Sequence, residues 1–247
     1  MNDTDEIELP RSIMLLWGHA EPQRRGPKPG LSLERIAAAA IRLADAEGLG
    51  AVSMSRVAGE LGFTTMSLYR YVSGKDDLIV LMLDVAIGRP DFPANAPQGW
   101  RVLLERWSLE YLNALRRHPW MTRVSISGPP ITPNNVAWME YALSAMSATT
   151  LTAQEKLSVL LLLTNYVRGI GQLLVDIAGA ERAIPPGQTA AMSQYGQILS
   201  QLIDADRFPA LCGILASGAL DDDDDDPDAE FHFGLRRVLD GIAVLIH

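Results

Sequence analysis

The sequence predicts an all-α protein, in which a three-helix helix-turn-helix unit precedes a larger helical unit. Apolar residues recur at helical spacing through most of the 247 residues, and two short helical patterns meet at Gly62. Three prolines within residues 89–97 break helix between the two units. We therefore predict domains at residues 24–89 and 98–247, after an acidic extension at residues 1–23.

The helix-turn-helix pattern occupies residues 57–72, VAGELGFTTMSLYRYV. Gly62 should end the first helix, because glycine adopts the left-handed backbone conformation without steric cost. Thr64 or Thr65 can cap the second helix, which is predicted to run through Val72. The apolar positions of both helices pack inward, so the polar positions between them are left to face a partner.

Capping signals predict the flanking helices. Ser32 caps a support helix of about fifteen residues that ends at Gly48, and Ser53 caps the next helix. A further helix opens at Lys75 and ends near Gly88. Lys75 is thereby placed near a helix N-terminus, where backbone amides can contact phosphate.

The C-terminal unit is predicted to be helical throughout. Its longest helix, from Thr152 to about Ala178, is apolar nearly all round, so it should be covered both by its own domain and by a second subunit. Asn165, Arg168 and Asp176 interrupt the apolar run, which predicts a buried helix of a soluble protein rather than a membrane span. The remaining predicted helices are residues 99–117, a short segment from 119, 133–148, 189–202, 208–215 and a last helix from Asp228 to Ile246.

The distribution of charge matters more than its sum. The net charge of −9 would argue against a nucleic-acid partner, but residues 24–89 hold nine basic and seven acidic residues, whereas the segments on either side are net acidic. Since the phosphate backbone dominates DNA affinity, a DNA reader would keep its positive charge in this segment.

Several classes of site are excluded by composition. Cys212 is the only cysteine, so no internal disulfide forms, and the four histidines show no zinc spacing. The chain has no nucleophile elbow, phosphate loop or paired metal ligands, so we predict no enzyme, no cofactor and no metal. The acidic N-terminus does not fit a secretory signal, and we expect a cytoplasmic protein without membrane association.

Three segments have more than one interpretation. The apolar run at residues 13–17 either packs only locally, which is the commoner case, or docks on the body of the protein. Arg24, Arg25 and Lys28 lie on a backbone that Pro and Gly keep out of helix, and they form either a solvated linker or a basic arm that reaches phosphates or a minor groove. The six aspartates at 221–226 favour a self-repelling loop over a calcium site, with Asp226 and Pro227 suited to the start of the last helix.

Residues 31–79, LSLERIAAAAIRLADAEGLGAVSMSRVAGELGFTTMSLYRYVSGKDDLI, resemble the DNA-binding domain of the tetracycline-repressor (TetR) family of transcriptional regulators. The later helices and the closing FHFGLRRVLDGIAVLI resemble the C-terminal domain of that family. The resemblance implies a homodimer that represses transcription until a small molecule binds the C-terminal domain. It also implies that the helices from Thr152 to Ala178 and from Asp228 to Ile246 form a four-helix dimer interface.

The resemblance implies DNA contacts position by position. Thr64, Thr65 and Met66 begin the recognition helix and are expected to contact bases in the major groove. Ser55 stands where the tetracycline repressor has a base-reading arginine, so a guanine contact from this position should be absent. The other predicted DNA contacts are Arg24, Arg25, Lys28, Ser53, Ser67, Tyr69, Arg70 and Lys75.

A hydrophobic small-molecule effector is expected inside the C-terminal bundle. Aromatic, methionine and polar residues there can line a cavity, although ordinary core packing is the commoner role for each one singly. Asn165 and Arg168 are the stronger candidates, because a polar group in an apolar helix needs a partner. The predicted lining residues are Trp107, Tyr111, Trp120, Met121, Trp138, Met139, Asn165, Tyr166 and Arg168.

The sequence therefore predicts a ligand-responsive repressor that binds a palindromic operator in double-stranded DNA. A small-molecule carrier or sensor with weak or lost DNA binding is the alternative, supported by the acidic net charge.

Overall fold

A computed structural model of the chain describes residues 9–19, 30–91, 99–126, 128–182, 195–219 and 228–246, and over these ranges it contains helices and no strands. The all-α prediction is confirmed. Two 3₁₀ turns, Leu49–Ala51 and Pro119–Arg123, accompany the α-helices. The α-helices are α1 (Arg11–Leu16), α2 (Leu33–Glu47), α3 (Met54–Leu61), α4 (Thr65–Leu68), α5 (Lys75–Ile87), α6 (Trp100–Arg117), α7 (Pro133–Ala145), α8 (Ala153–Arg182), α9 (Tyr195–Leu202), α10 (Pro209–Ala216) and α11 (Ala229–Leu245).

Two capping residues predicted in the N-terminal unit, Ser32 and Ser53, are confirmed, whereas Thr64 stands at the N-cap of α4 without a side-chain capping bond. The Ser32 side chain accepts a hydrogen bond from the backbone amide of Arg35 at 3.3 Å and begins α2. The Ser53 side chain does the same for Arg56 at 3.2 Å and begins α3. Gly62 ends α3 with φ of +73°, a left-handed conformation that favours glycine.

Four predicted helix boundaries are wrong. α4 ends at Leu68 rather than Val72, because the amide of Tyr71 bonds the Leu68 carbonyl at 2.8 Å and tightens the chain into a turn. α7 ends at Ala145, where a similar three-residue bond closes it three residues early. α8 runs four residues beyond Ala178. The N-cap position of α11 is Asp228 rather than Asp226. Asp226 lies outside the described residues, with the rest of 220–227.

The two units join along α5 and α7 through a buried carboxylate. Asp84 is 2% exposed and accepts the backbone amides of Asn134 at 2.9 Å and Asn135 at 3.2 Å, in the first turn of α7. The Asn134 side chain returns a bond to the Asp84 carbonyl at 2.9 Å. Since the first-turn amides of a helix lack partners within that helix, Asp84 acts as a cap supplied by another helix.

An ion pair links α6 to the start of α11 in the C-terminal unit. The guanidinium of Arg116, at the end of α6, binds the carboxylate of Asp228, just before α11. This hydrogen bond lowers the pKa of Asp228 below its usual value. It fixes where the last helix starts against the body of the domain.

The longest helix, α8, is only half covered in one chain. Val159, Leu163 and Val167 are buried against the rest of the domain, whereas Leu161 on another face is 64% exposed. By length and composition the stretch Ala153–Ala180 could cross a membrane, and 22% of its apolar 18-residue window is buried. The single chain does not bury the helix that was predicted to be buried, and the expectation of cover from a second subunit stays a prediction.

Two glycines allow the closest helix approaches. A Cβ atom at Gly171 of α8 would lie 2.7 Å from Leu115 of α6, and one at Gly234 of α11 would lie 2.9 Å from the ring of Tyr166. The Tyr166 hydroxyl donates a hydrogen bond to the carbonyl of Phe231 at 2.7 Å, so its ring has little freedom to move away.

Gly234→Ala should therefore destabilise the fold by about 1–3 kcal/mol, because the added methyl group displaces the Tyr166 ring. The measurement is the free energy of unfolding in urea. Gly59→Ala on α3, where a Cβ atom meets nothing within 4 Å, is the matched control and should be neutral or stabilising. Equal effects of the two substitutions would contradict the close contact.

Candidate nucleic-acid interface and ligand site

The short helix α4 has one side that packs into the core and one side that is exposed. Leu68 is fully buried, together with Val57 and Val72, and anchors α4 in the core beside α3. Met66 is 72% exposed and Tyr69 is 48% exposed, so both project away from this anchor. An apolar side chain as exposed as Met66 is available to contact a partner such as the methyl group of thymine.

Hydroxyl groups line the start of the two helices. The Thr64 and Ser67 hydroxyls lie 3.1 Å apart, and the Ser53 and Ser55 hydroxyls lie 3.2 Å apart. Thr64 occupies the N-cap position of α4 without a capping bond from its side chain. Its hydroxyl is therefore paired only with another hydroxyl, which can exchange partners with a base or phosphate oxygen.

The positive charges lie at the end of α4 and at the start of α5. Arg70 and Lys75 are both exposed, and Lys75 is the first residue of α5. Arg24, Arg25 and Lys28, the predicted basic arm, lie outside the described residues, and their role stays a prediction.

Two interactions of carboxylates near this surface, a hydrogen bond and a salt bridge, were not predicted from the sequence. Asp77 accepts the backbone amide of Ser73 at 2.7 Å, which fixes the turn that carries Lys75. Arg56 binds Glu47 through both guanidinium nitrogens, at 2.9 and 2.5 Å, and lowers the pKa of that carboxyl. A carboxylate three residues into a helix signals the first contact, but the second joins separate helices and has no local signal.

Three predicted ligand-lining residues come together as an aromatic cluster of Trp107, Tyr111 and Trp138. Their ring centroids lie 5.5 to 6.1 Å apart in edge or tilted arrangements. The Trp107 indole donates to the Trp138 carbonyl at 3.0 Å, and the Trp138 indole donates to the carbonyl of Gly88 at 2.9 Å. Gly88 ends α5, so the aromatic cluster is hydrogen-bonded directly to the helix that leaves the helix-turn-helix unit.

The other predicted lining residues lie elsewhere. The Trp120 indole donates to Asp45 of α2 at 2.8 Å, and Asp45 also contacts His118 Nδ1 at 2.9 Å. Trp120 thus belongs to a contact between the two units. Met121 is buried in the same 3₁₀ turn, and Met139 is half-buried on α7.

The polar residues of α8 have partners inside the protein. The Asn165 amide donates to the Leu161 carbonyl of its own helix at 2.8 Å and is exposed. The Arg168 guanidinium donates to the Val124 carbonyl at 2.9 Å. Tyr166 packs on α11, and burial raises the pKa of its hydroxyl. Asn165 and Arg168 therefore find the partners they need within the protein, and their role in ligand binding stays a prediction.

A groove of about 350 Å³ lies between α8 and α11, away from the aromatic cluster. It is open along the half-covered face of α8, and none of the predicted ligand residues lines it. Its lining residues are Glu155, Ser158, Val159, Leu162, Arg237, Val238, Gly241, Ile242 and Leu245.

Comparison with known proteins places both units in one family. Residues 36–82 match the family model of bacterial regulatory proteins of the tetR family, and residues 92–246 match the tetracyclin repressor-like C-terminal domain. The chain is 39% identical over 243 residues to the HTH-type transcriptional repressor DrrR1 of Streptomyces coeruleorubidus, covering 97% of this chain and 87% of that protein. An HTH-type transcriptional regulator of Saccharopolyspora erythraea is 28% identical over 92% of this chain and 91% of its own length.

A solved structure has the same architecture. The TetR family protein ActR of Streptomyces coelicolor, in complex with actinorhodin, superimposes with a TM-score of 0.74 at 25% identity, over 89% of this chain and 98% of ActR. Both family models, together covering most of the chain, and the repressor relative agree with the exposed α4 and the helical C-terminal unit. This chain belongs to the TetR family of bacterial transcriptional regulators, with an N-terminal helix-turn-helix domain and a tetracycline-repressor-like C-terminal domain.

Proposed function

We propose that this TetR-family regulator represses transcription as a cytoplasmic homodimer on a palindromic operator, and that a small hydrophobic molecule in the C-terminal domain releases it. The observation that carries the proposal is the exposed edge of α4. Met66 and Tyr69 project from a helix whose other side is anchored by Leu68, so a rigid and accessible surface faces outward.

The proposed reading of DNA uses short side chains rather than arginine. Thr64, Thr65 and Met66 contact base edges in the major groove, while Ser67, Tyr69 and Lys75 contact phosphates. Ser53, Ser55 and Arg70 lie beside them and reach the backbone. Because Ser55 is short and Arg56 is held by Glu47, methyl groups and groove shape contribute more to specificity than a bidentate guanine contact.

The proposed dimer forms through α8 and α11. The exposed apolar residues Leu161, Leu162 and Val244 lie on these two helices. Exposed apolar area of this extent on a soluble regulator marks an interface between proteins. A second copy packed by the same two helices would cover the groove and the apolar stretch of α8 at once, and it would place two α4 helices on one side of the dimer.

The proposed effector site is the aromatic cluster. Trp138 belongs to the cluster and also holds Gly88 at the end of α5, so a ligand that displaces its ring changes the support of the helix-turn-helix domain. ActR, a solved relative, binds actinorhodin, and this compound is the first effector to test on the present chain. Only a ligand with different affinities for the two arrangements can shift the equilibrium between them.

Tyr69→Phe combined with Lys75→Ala should weaken binding to the DNA upstream of this protein's own gene by about tenfold, because two phosphate contacts are lost. The dependence of log Kd on log salt concentration should also become shallower by about 0.9 for the lysine contact. Electrophoretic mobility shift over a salt series measures both. A carrier that does not bind DNA would show no salt-dependent affinity at all.

Arg42→Ala is the matched control, since Arg42 is an exposed cation on α2 outside the proposed surface. Loss of affinity equal to that of the double variant would show that total charge, rather than the α4 and α5 corner, determines binding.

Trp138→Phe should separate effector binding from DNA release. The variant keeps an aromatic ring but loses the indole donor to Gly88, so the actinorhodin concentration for half-release of operator should rise about fivefold. Actinorhodin affinity of the DNA-free protein, measured by calorimetry, should change less. Trp100→Phe on α6 is the control, and an unchanged release concentration in Trp138→Phe would contradict this route.

A further inference from the structure

The short helix α1 lies outside both regions that match the family models, yet it is firmly packed. Ser12 is 1% exposed and Ile13 is 2% exposed, while Leu15 and Leu16 pack against the core. A buried serine needs a hydrogen-bond partner, and its partner shows where the helix is attached.

One end of α1 is attached to the DNA-binding domain. The Ser12 hydroxyl donates to one carboxylate oxygen of Asp77, in the first turn of α5. The other oxygen of the same carboxylate accepts the backbone amide and the hydroxyl of Ser73, at 2.7 and 3.2 Å. Ser12 therefore holds the carboxylate that fixes the turn between α4 and Lys75.

The other end of α1 is attached to the C-terminal domain. The indole of Trp17, just after α1, donates to the carbonyl of Ile131 at 2.8 Å. Ile131 lies in the segment that leads into α7, whose first-turn amides are bound by Asp84. The two ends of one six-residue helix thus contact the two domains.

We propose that α1 is a strap that positions the phosphate-contacting corner at Ser73–Lys75 relative to the C-terminal domain. Two contacts hold the second half of α5 to α7. Asp84 of α5 accepts the Asn134 amide of α7, and Trp138 of α7 donates to the carbonyl of Gly88 at the end of α5. The strap adds a restraint on the first half of α5, at the end that carries Lys75. Ser12 is a positioning residue in this arrangement and does not touch DNA. The inference rests on the proposed function, because it assigns Lys75 a phosphate.

The test is a double-mutant cycle in the full chain with Ser12→Ala and Trp17→Phe. Each substitution should raise the operator Kd about three- to tenfold, because the corner must be ordered on binding when the strap is open. The double variant should bind no more weakly than the weaker single variant, since either change opens the same strap. The salt dependence of binding in Ser12→Ala should become shallower by about 0.9, as expected for one poorly placed phosphate contact.

Hydrogen exchange of the Ser73 amide gives a readout that needs no DNA. Exchange should be faster in both variants and unchanged in Arg11→Ala, a control at an exposed position of the same helix. Trp17 is 42% exposed, whereas Ser12 is buried, so Trp17→Phe is expected to fold even if Ser12→Ala does not. Circular dichroism confirms that each variant remains folded.

Several results would overturn the strap. Additive losses in the double variant would show that the two ends act separately. Faster exchange without a change in operator Kd would contradict the positioning role of α1. Unchanged exchange of the Ser73 amide would contradict the claim that Ser12 restrains this turn. A wild-type protein that binds no operator DNA would instead contradict the proposed function, and the exchange measurement would still decide whether α1 restrains the corner.

Discussion

The rest of the structure depends on the buried carboxylate of Asp84. It sits on α5, a helix that begins beside the recognition helix and ends at the aromatic cluster, and it accepts two amides at the start of α7. Burying a carboxyl group is costly unless hydrogen bonds replace those it made to water. Because the Asn134 and Asn135 amides supply those bonds, the position of α7 relative to α5 is specified by direction and distance rather than by apolar contact alone.

The contact between α5 and α7 links the helix-turn-helix domain to the aromatic cluster of the C-terminal domain. The aromatic cluster, which we propose as the effector site, is buried, whereas the proposed DNA surface is exposed, and α5 contacts both. The acidic net charge of the chain is unevenly distributed: residues 24–89 hold nine basic and seven acidic residues, and Arg70 and Lys75 are exposed beside α4. In the proposed dimer, the apolar faces of α8 and α11 would set the separation of two such surfaces, because a second copy would pack against them.

Local signals in the sequence predicted the parts of this fold that are determined locally. Ser32 and Ser53 begin helices and Gly62 ends one because each acts on backbone groups within a few residues. The end of α4 was missed, since a tightened turn at Tyr71 follows from packing of Val72 and not from propensity.

Contacts between distant residues could not be predicted in the same way. The bonds from Trp138 to Gly88, from Asp84 to Asn134 and from Ser12 to Asp77 join residues 50 or more positions apart. Composition named Trp107, Tyr111 and Trp138 as ligand candidates, and the structure brings these three together. Trp120 lies against the DNA-binding domain instead. Helix periodicity could not predict this, because it indicates which face of a helix a residue occupies but not which element packs against that face.

The most direct test of the central claim is a hydroxyl-radical footprint of the wild-type protein on the DNA upstream of its own gene. The account predicts two protected half-sites on one face of the duplex, with centres about 34 Å apart, because two α4 helices held by a dimer enter successive major grooves. Protection of one isolated half-site, or of a continuous stretch without symmetry, would contradict a dimeric operator reader.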